Sequence, residues 1–411
     1  MNFVEQIQTA IANWFTSTDT LRAASAHLRA HIPIVEVGDR VAVFKYDDVI
    51  EVLAKNDRFG VTEIYAAKME RTTGAFFLGM EDTPQYRREA QIARRAVRSD
   101  DGPRIAQIAS EAAKELLAKV AGHGTFDAVG EFSHLIPVRL LASYFGTPGP
   151  DVATMQRWMR AIFWDIFLNP NDDPSVCEKS RVASAEVTPY LAGLIAERKR
   201  ALDSGQRVAD DFVTRLLMQQ KEDSSIDDDL IRRDISGIIV GALDTQSKAI
   251  AHSLDQLLRR PDALESARRA ALADDDASVA AHVWEALRFN PHNPVLFRHC
   301  HADTMVAAGT DRQKVIEKGE TVIAMTLSAM FDPDALDRPD EFSTSRPPSA
   351  YLHFGHGQHT CFGERINLIV VPLAVKALLK LPNLRYAEGA NGAIEYEGPF
   401  PDRMMLSFDP R

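Results

Sequence analysis

Apolar residues in this chain recur mostly at helical spacing, and the longest such stretch runs from Asp227 to Arg260. Asp227, Asp228 and Asp229 open it, while Arg259, Arg260 and Pro261 close it, an order that suits a helix dipole and ends on a breaker. About 32 residues at ~1.5 Å rise predict a helix of ~48 Å, long enough to cross a domain. A second apolar-periodic stretch, Val279 to Phe289, is followed by Pro291 and Pro294. A third, Ile366 to Leu381, reads as a helix that follows the loop Phe354 to Gly363. In Tyr86 to Arg98, Arg87, Arg94 and Arg98 share one stripe at helical spacing, with Arg88 and Arg95 beside it and Ala93, Ala96 and Val97 opposite. Trp158 to Phe167 is aromatic-rich and ends in the loop NPNDDP; it is either an ordinary helix with a core face or a lid. The amino-terminal MNFVEQIQTAIANWF is interrupted by polar residues and lacks the ~20 apolar residues of a membrane anchor.

The loop before the third helix, FGHGQHTCFG, presents one thiol, Cys361. A sulfur at a helix start meets free backbone N–H groups and the positive end of the dipole, which favour thiolate, the metal-binding form. Gly355 and Gly357 supply turn conformations. Zinc is one candidate metal, because His353, His356, His359 and Cys361 crowd together. In the second helix, Glu285 and Arg288 lie three apart and can pair on one face. In the first, Gly241 and Ala242 precede Asp244 and Thr245, and a mid-helix threonine often does no more than bond the carbonyl four residues back.

Length alone suggests two or three units at ~150 residues each. However, no linker, composition break or repeat divides the chain, which reads as a single domain over residues 1–411. Its 45% hydrophobic content suffices for a large core. Three widely spaced cysteines, Cys177, Cys300 and Cys361, argue against a disulfide framework and for a reducing, cytoplasmic setting. A formal charge of −11 argues against nucleic acid or an anionic membrane as the main partner.

The ten residues FGHGQHTCFG match F-G-x-G-x-H-x-C-x-G, so the chain resembles the cytochrome P-450 family. Zinc would leave the other matching positions unexplained. The resemblance implies a mainly α fold with small β-sheets (α+β), haem b lying between the long distal helix and the cysteine-loop helix. Cys361 would be the axial thiolate, whose electron push favours O–O cleavage. Phe354, Gly355 and Gly363 would shape its surroundings, and His359 would donate to a haem propionate. Glu285 and Arg288 would be the structural pair of the family, with Glu341 in the slot often held by a basic third partner and Arg338 and Arg346 nearby. Asp244 and Thr245 would relay protons so that water leaves from reduced oxygen. Val37 to Gly60 resembles the family's amino-terminal strand pair and helix, and Gly124 to Pro148 also has a family look. In Glu81 to Arg98, the usual propionate-binding histidine and arginine are replaced by Tyr86 and Ala90, so Arg87 or Arg88 and Arg298 become the candidate anchors.

By the same resemblance, Phe76, Phe77, Gly241, Leu243, Val295, Leu296, Phe297 and Phe400 would line a mostly apolar substrate pocket, in which no charged residue demands a charged substrate. The implied activity is a soluble haem-thiolate monooxygenase that inserts one atom of O₂ into a hydrophobic small molecule. No flavin or nicotinamide motif is present, so electrons would come from a ferredoxin-like donor and its reductase, docking on the arginine stripe. Peroxide-driven oxygenation or isomerisation is the runner-up, and a haem-binding sensor or carrier a more distant one.

Overall fold

The long helix forms as its termini predict, spanning Asp228–Leu258 with the Asp227 side chain accepting the Leu230 N–H as N-cap. Pro261 starts the next helix, Pro261–Leu272. This computed structural model describes residues 18–389 and 393–410. The amino-terminal stretch read as lacking an anchor lies outside the described residues. No described helix is long and apolar enough to cross a membrane.

Almost every side of the long helix is buried, which fits an element that runs through a domain rather than along its surface. It packs against Val152–Leu168, Pro174–Asp203, Asp276–Phe289 and Glu364–Leu379. The last of these, the cysteine-loop helix, also packs on Gly102–Val120. Together these helices bury one large apolar cluster containing Leu243, Ile250, Leu287 and Val370.

A second cluster, with Val41, Leu53, Val322 and Phe331, sits against a five-stranded sheet. Its strands run in the order Ile34–Val37, Arg40–Val43, Thr321–Ala324, Leu296–Cys300, Phe59–Gly60. Arg40–Val43 and Thr321–Ala324 are parallel, and the other pairs are antiparallel. The amino-terminal strand pair therefore starts at Ile34, and the stretch expected from Val37 onward begins on the last residue of its first strand. Among the described residues there are also three smaller sheets of two or three strands.

The arginine-rich segment forms the helix Pro84–Ala96, with Thr83 as N-cap and Pro84 in the first turn. It buries Tyr86, Ala90, Ala93 and Ala96 and leaves Arg87, Arg88, Arg94 and Arg95 exposed, so the stripe falls on the outer face.

Candidate active site

Helical periodicity assembles the first wall of the site. Gly241, Asp244, Thr245 and Lys248 are spaced i, i+3, i+4, i+7 on the long helix and line one cavity of about 260 Å³. The cysteine loop supplies the facing wall through Phe354, Gly355, His359 and Cys361. The strand Leu296–Cys300 and the loop before it close the side with Val295, Leu296, Phe297 and Arg298.

Two glycines give the loop its path. Gly355 and Gly357 adopt φ of 76° and 75°, and a Cβ on Gly357 would stand 2.7 Å from the Leu53 carbonyl oxygen. The Cys361 N–H donates to the Phe354 carbonyl at 2.9 Å, closing the loop just before the helix Glu364–Leu379. Phe354 packs edge-on against Trp284 at 5.7 Å between ring centres.

Cys361 lines the cavity and is accessible from it. Burial pushes its thiol up to about 11, against the N–H groups of Gly363 and Glu364, which favour thiolate. Here desolvation outweighs those N–H groups, and a metal cation beside the sulfur would favour the thiolate. The zinc alternative fails on geometry. Among the described residues, His353, His356, His359 and Cys361 do not converge on one point, and His353 Nε2 is engaged with the Trp284 carbonyl at 3.0 Å.

Arg298 and His359 form one polar region of the cavity. Arg298 is 3% exposed; it bonds the Phe297 carbonyl at 2.8 Å and leaves Nε without a partner. Burial lowers its pKa, with Tyr65 and Glu81 opposing. His359 has both ring nitrogens buried without a well-formed hydrogen bond. Burial, then the Arg298 charge, lowers it to about 4. A buried guanidinium beside an unsatisfied imidazole is costly unless an anion completes the set. The cavity therefore fits a planar metal cofactor with carboxylate arms: one sulfur in its wall, and a cation and a donor in one corner.

Asp244 is buried and accepts from Arg160 through Oδ1 at 3.2 Å, while Oδ2 has no partner. Burial raises its pKa against the Arg160 charge. Arg160 also holds Glu397 at 2.6 Å and lies over the Phe400 ring. Thr245 Oγ1 donates to the Gly241 carbonyl four residues back, and the residue still lines the cavity.

The Glu285–Arg288 pair is buried at 2.7 Å. Glu341 does not act as its third partner through its side chain; its backbone carbonyl accepts from Arg288 at 3.2 Å. Arg346 fills that role at 3.1 Å from Glu285, joined by the Tyr351 hydroxyl and the Ser343 N–H. Burial works to raise the Glu285 carboxyl, but Arg288, Ser343 and Arg346 together hold it low.

Several expected positions stand elsewhere. Tyr86 lies behind the cysteine loop, donating to the Gln358 carbonyl at 3.1 Å. Arg88, about 200° further round its helix, faces Ser225 and Asp223. Arg87 pairs with Asp82 at 2.7 Å on the surface. Phe77 is buried against Phe76 and Phe362, and Leu243 is buried in the helical core, off the cavity-facing stripe. Gly363 caps the helix rather than lining the cavity. Phe76, Gly241, Val295, Leu296, Phe297 and Phe400 do line it. Of the lid segment, Phe163 and Phe167 reach the wall, while Trp158 is buried. The sequence reading missed Arg160, Lys248 and His292; for Lys248 the signal was its position four residues beyond Asp244.

A family model described as cytochrome P450 matches residues 36–391. The erythromycin C-12 hydroxylase of Saccharopolyspora erythraea is 28% identical over 343 residues, 82% of this chain and 80% of that protein. The vitamin D(3) 25-hydroxylase of Pseudonocardia autotrophica is 27% identical over 408 residues, 94% of each chain. The crystal structure of CalO2 has the same fold at a TM-score of 0.83, with 22% identity over 96% of this chain and 97% of that one.

Proposed function

The chain belongs to the cytochrome P450 family, and from that membership we propose a residue-level assignment of its haem-thiolate monooxygenase chemistry. The enzyme is an oxidoreductase whose cofactor is haem held by a cysteine thiolate; it uses a small-molecule substrate, O₂ and redox partners. When bound, the haem supplies dioxygen activation and oxygen insertion.

Cys361 is the thiolate ligand, and Arg298 and His359 take the haem carboxylates. The chain's remaining contribution is proton handling and exclusion of water. Asp244 can hold a proton at Oδ2, because burial raises its pKa and that oxygen has no other partner. Thr245 passes the proton on by releasing the Gly241 carbonyl and turning its hydroxyl toward the cavity. Phe76, Val295, Leu296, Phe297 and Phe400 keep the site apolar and hold the substrate. Glu285, Arg288 and Arg346 brace the segment leading to the cysteine loop. A ferredoxin-like donor docks on the face bearing Arg94 and Arg95, which are exposed and have no ion pair among the described residues. The described cysteines are all unpaired, which supports a reducing compartment such as the cytoplasm.

One observation carries the assignment: the Cys361 sulfur, the Arg298 and His359 nitrogens that lack a hydrogen-bond partner, and the Asp244–Thr245 pair line one cavity. The test is the spectrum of the reduced carbonyl complex. The parent protein should show the red-shifted Soret band of thiolate ligation, and Cys361→Ser should lose it while keeping its helical content. The same band in the variant would overturn the ligand assignment.

A further inference from the structure

The cavity wall carries a cation to which the assignment above gives no task. We propose that Lys248 anchors an anionic head group, so that the substrate is an apolar molecule bearing a carboxylate. This inference rests on the monooxygenase reading of the same cavity and specifies what occupies it.

Lys248 shares the cavity-facing stripe of the long helix with Gly241, Asp244 and Thr245. Its ammonium makes no hydrogen bond or ion pair among the described residues. The nearest acid, Asp244, already accepts from Arg160, itself 17% exposed. The wall's formal charges are thus Lys248 and Arg298 against Asp244, whose charge is matched from behind. The two wall cations occupy different regions. The charged and titratable neighbours of Arg298 are Tyr65, Glu81 and His359, whereas those of Lys248 are Asp244, His252 and His292. Haem carboxylates held at Arg298 and His359 therefore leave Lys248 unmatched.

A second polar atom lines the same cavity within its electrostatic reach. His292 lines the cavity with Nδ1 buried and without a partner. Burial, then His353 and Lys248, lowers His292 to about 3, so it is a neutral imidazole able to donate one N–H. A carboxylate has the acceptor sites to take the Lys248 ammonium and this N–H together. The neighbouring wall, with Val240, Val295, Leu296 and Phe297, suits the apolar remainder. Burial lowers Lys248 to about 8, which leaves it charged at neutral pH, and an adjacent carboxylate would strengthen that charge.

The experiment uses the haem-loaded enzyme at pH 7 and reads dissociation constants from ligand-induced spin-state spectra. The probes are octanoic, dodecanoic and hexadecanoic acids, with their methyl esters and the corresponding alcohols. For at least one chain length the acid should bind about 10-fold or more tightly than its ester, the value of one charge-assisted hydrogen bond. Lys248→Met should erase that preference and Lys248→Arg should keep part of it. Equal affinity of acids and esters, a preference that survives in Lys248→Met, or no shift with any acid would each overturn the proposal. The carbonyl spectrum of each variant separates this outcome from failure of the haem-thiolate reading, since a thiolate band with no acid preference defeats the anchor alone.

Discussion

Arg346 Nε lies 3.1 Å from Glu285 Oε1, bringing a guanidinium from the segment before the cysteine loop onto a carboxylate in the helix Asp276–Phe289. The same guanidinium donates to the carbonyls of Asp337, Arg338 and Glu341, each at 2.8–2.9 Å. One side chain thus ties an irregular segment to a buried ion pair. Removing Arg346 leaves Glu285 paired with Arg288 but gives up one charge-assisted bond to the carboxylate and three to carbonyls, at a cost of roughly 1.5–3 kcal/mol. Arg346→Ala should lower the unfolding free energy by about that amount and reduce haem content. Arg346→Lys should do so less, and exposed Arg338→Ala should stay within ~0.5 kcal/mol. Denaturant midpoints with haem-to-protein ratios check all three, and an unperturbed Arg346→Ala would remove the bracing role.

Asp244 gives a pH dependence with a definite sign. Its pKa is raised in the folded state by burial, so the native protein binds this proton more tightly than the unfolded chain does. That stability is fully present below the ordinary carboxylate range and is lost as pH rises through the native value. Asp244→Asn should flatten this part of the stability profile and slow oxygenation about 100-fold. Thr245→Ala should instead leave the stability profile intact and divert electrons to released peroxide. Urea midpoints across a pH series, with peroxide-to-product ratios, distinguish the two variants. Unchanged coupling in Thr245→Ala would exclude the relay.

Arg94 and Arg95 are exposed on a helix whose other face packs inward. Reversing both to glutamate should slow bimolecular reduction by a ferredoxin-like donor about 10-fold at low ionic strength, with a gap that closes as salt rises. Substrate affinity should not change. Stopped-flow reduction over a salt series reads this directly, and identical rates would mark the patch as a merely solvated face.

The parts of the site that local pattern determines were legible in the sequence. The cysteine loop, the long helix and the Glu285–Arg288 spacing all follow from residues close together in the chain. Side-chain direction was less accessible. Leu243 and Phe77 sit next to cavity residues in sequence but turn into the core: one α-helical step is about 100° for Leu243, and Phe77 follows the extended Phe76, where successive side chains point to opposite sides. Arg346 was visible as a nearby base, but its contact with Glu285 depends on how an irregular segment folds back. Arg160 lay inside a segment read for its aromatics, and its meeting with Asp244 is a long-range event. Lys248 could have been found by extending the Gly241 periodicity one turn further.

At Gly357 a missing side chain sets a dimension of the whole molecule. The carbonyl that a Cβ there would strike belongs to Leu53, whose side chain is rooted in the cluster beneath the sheet. The loop on the other side of that contact has Phe354 and Phe362 seated against the helical cluster. Two apolar clusters therefore approach each other backbone to backbone, within a few residues of the sulfur. The helix Tyr46–Ala54 and the cysteine loop thus meet with no side chain between them at this point.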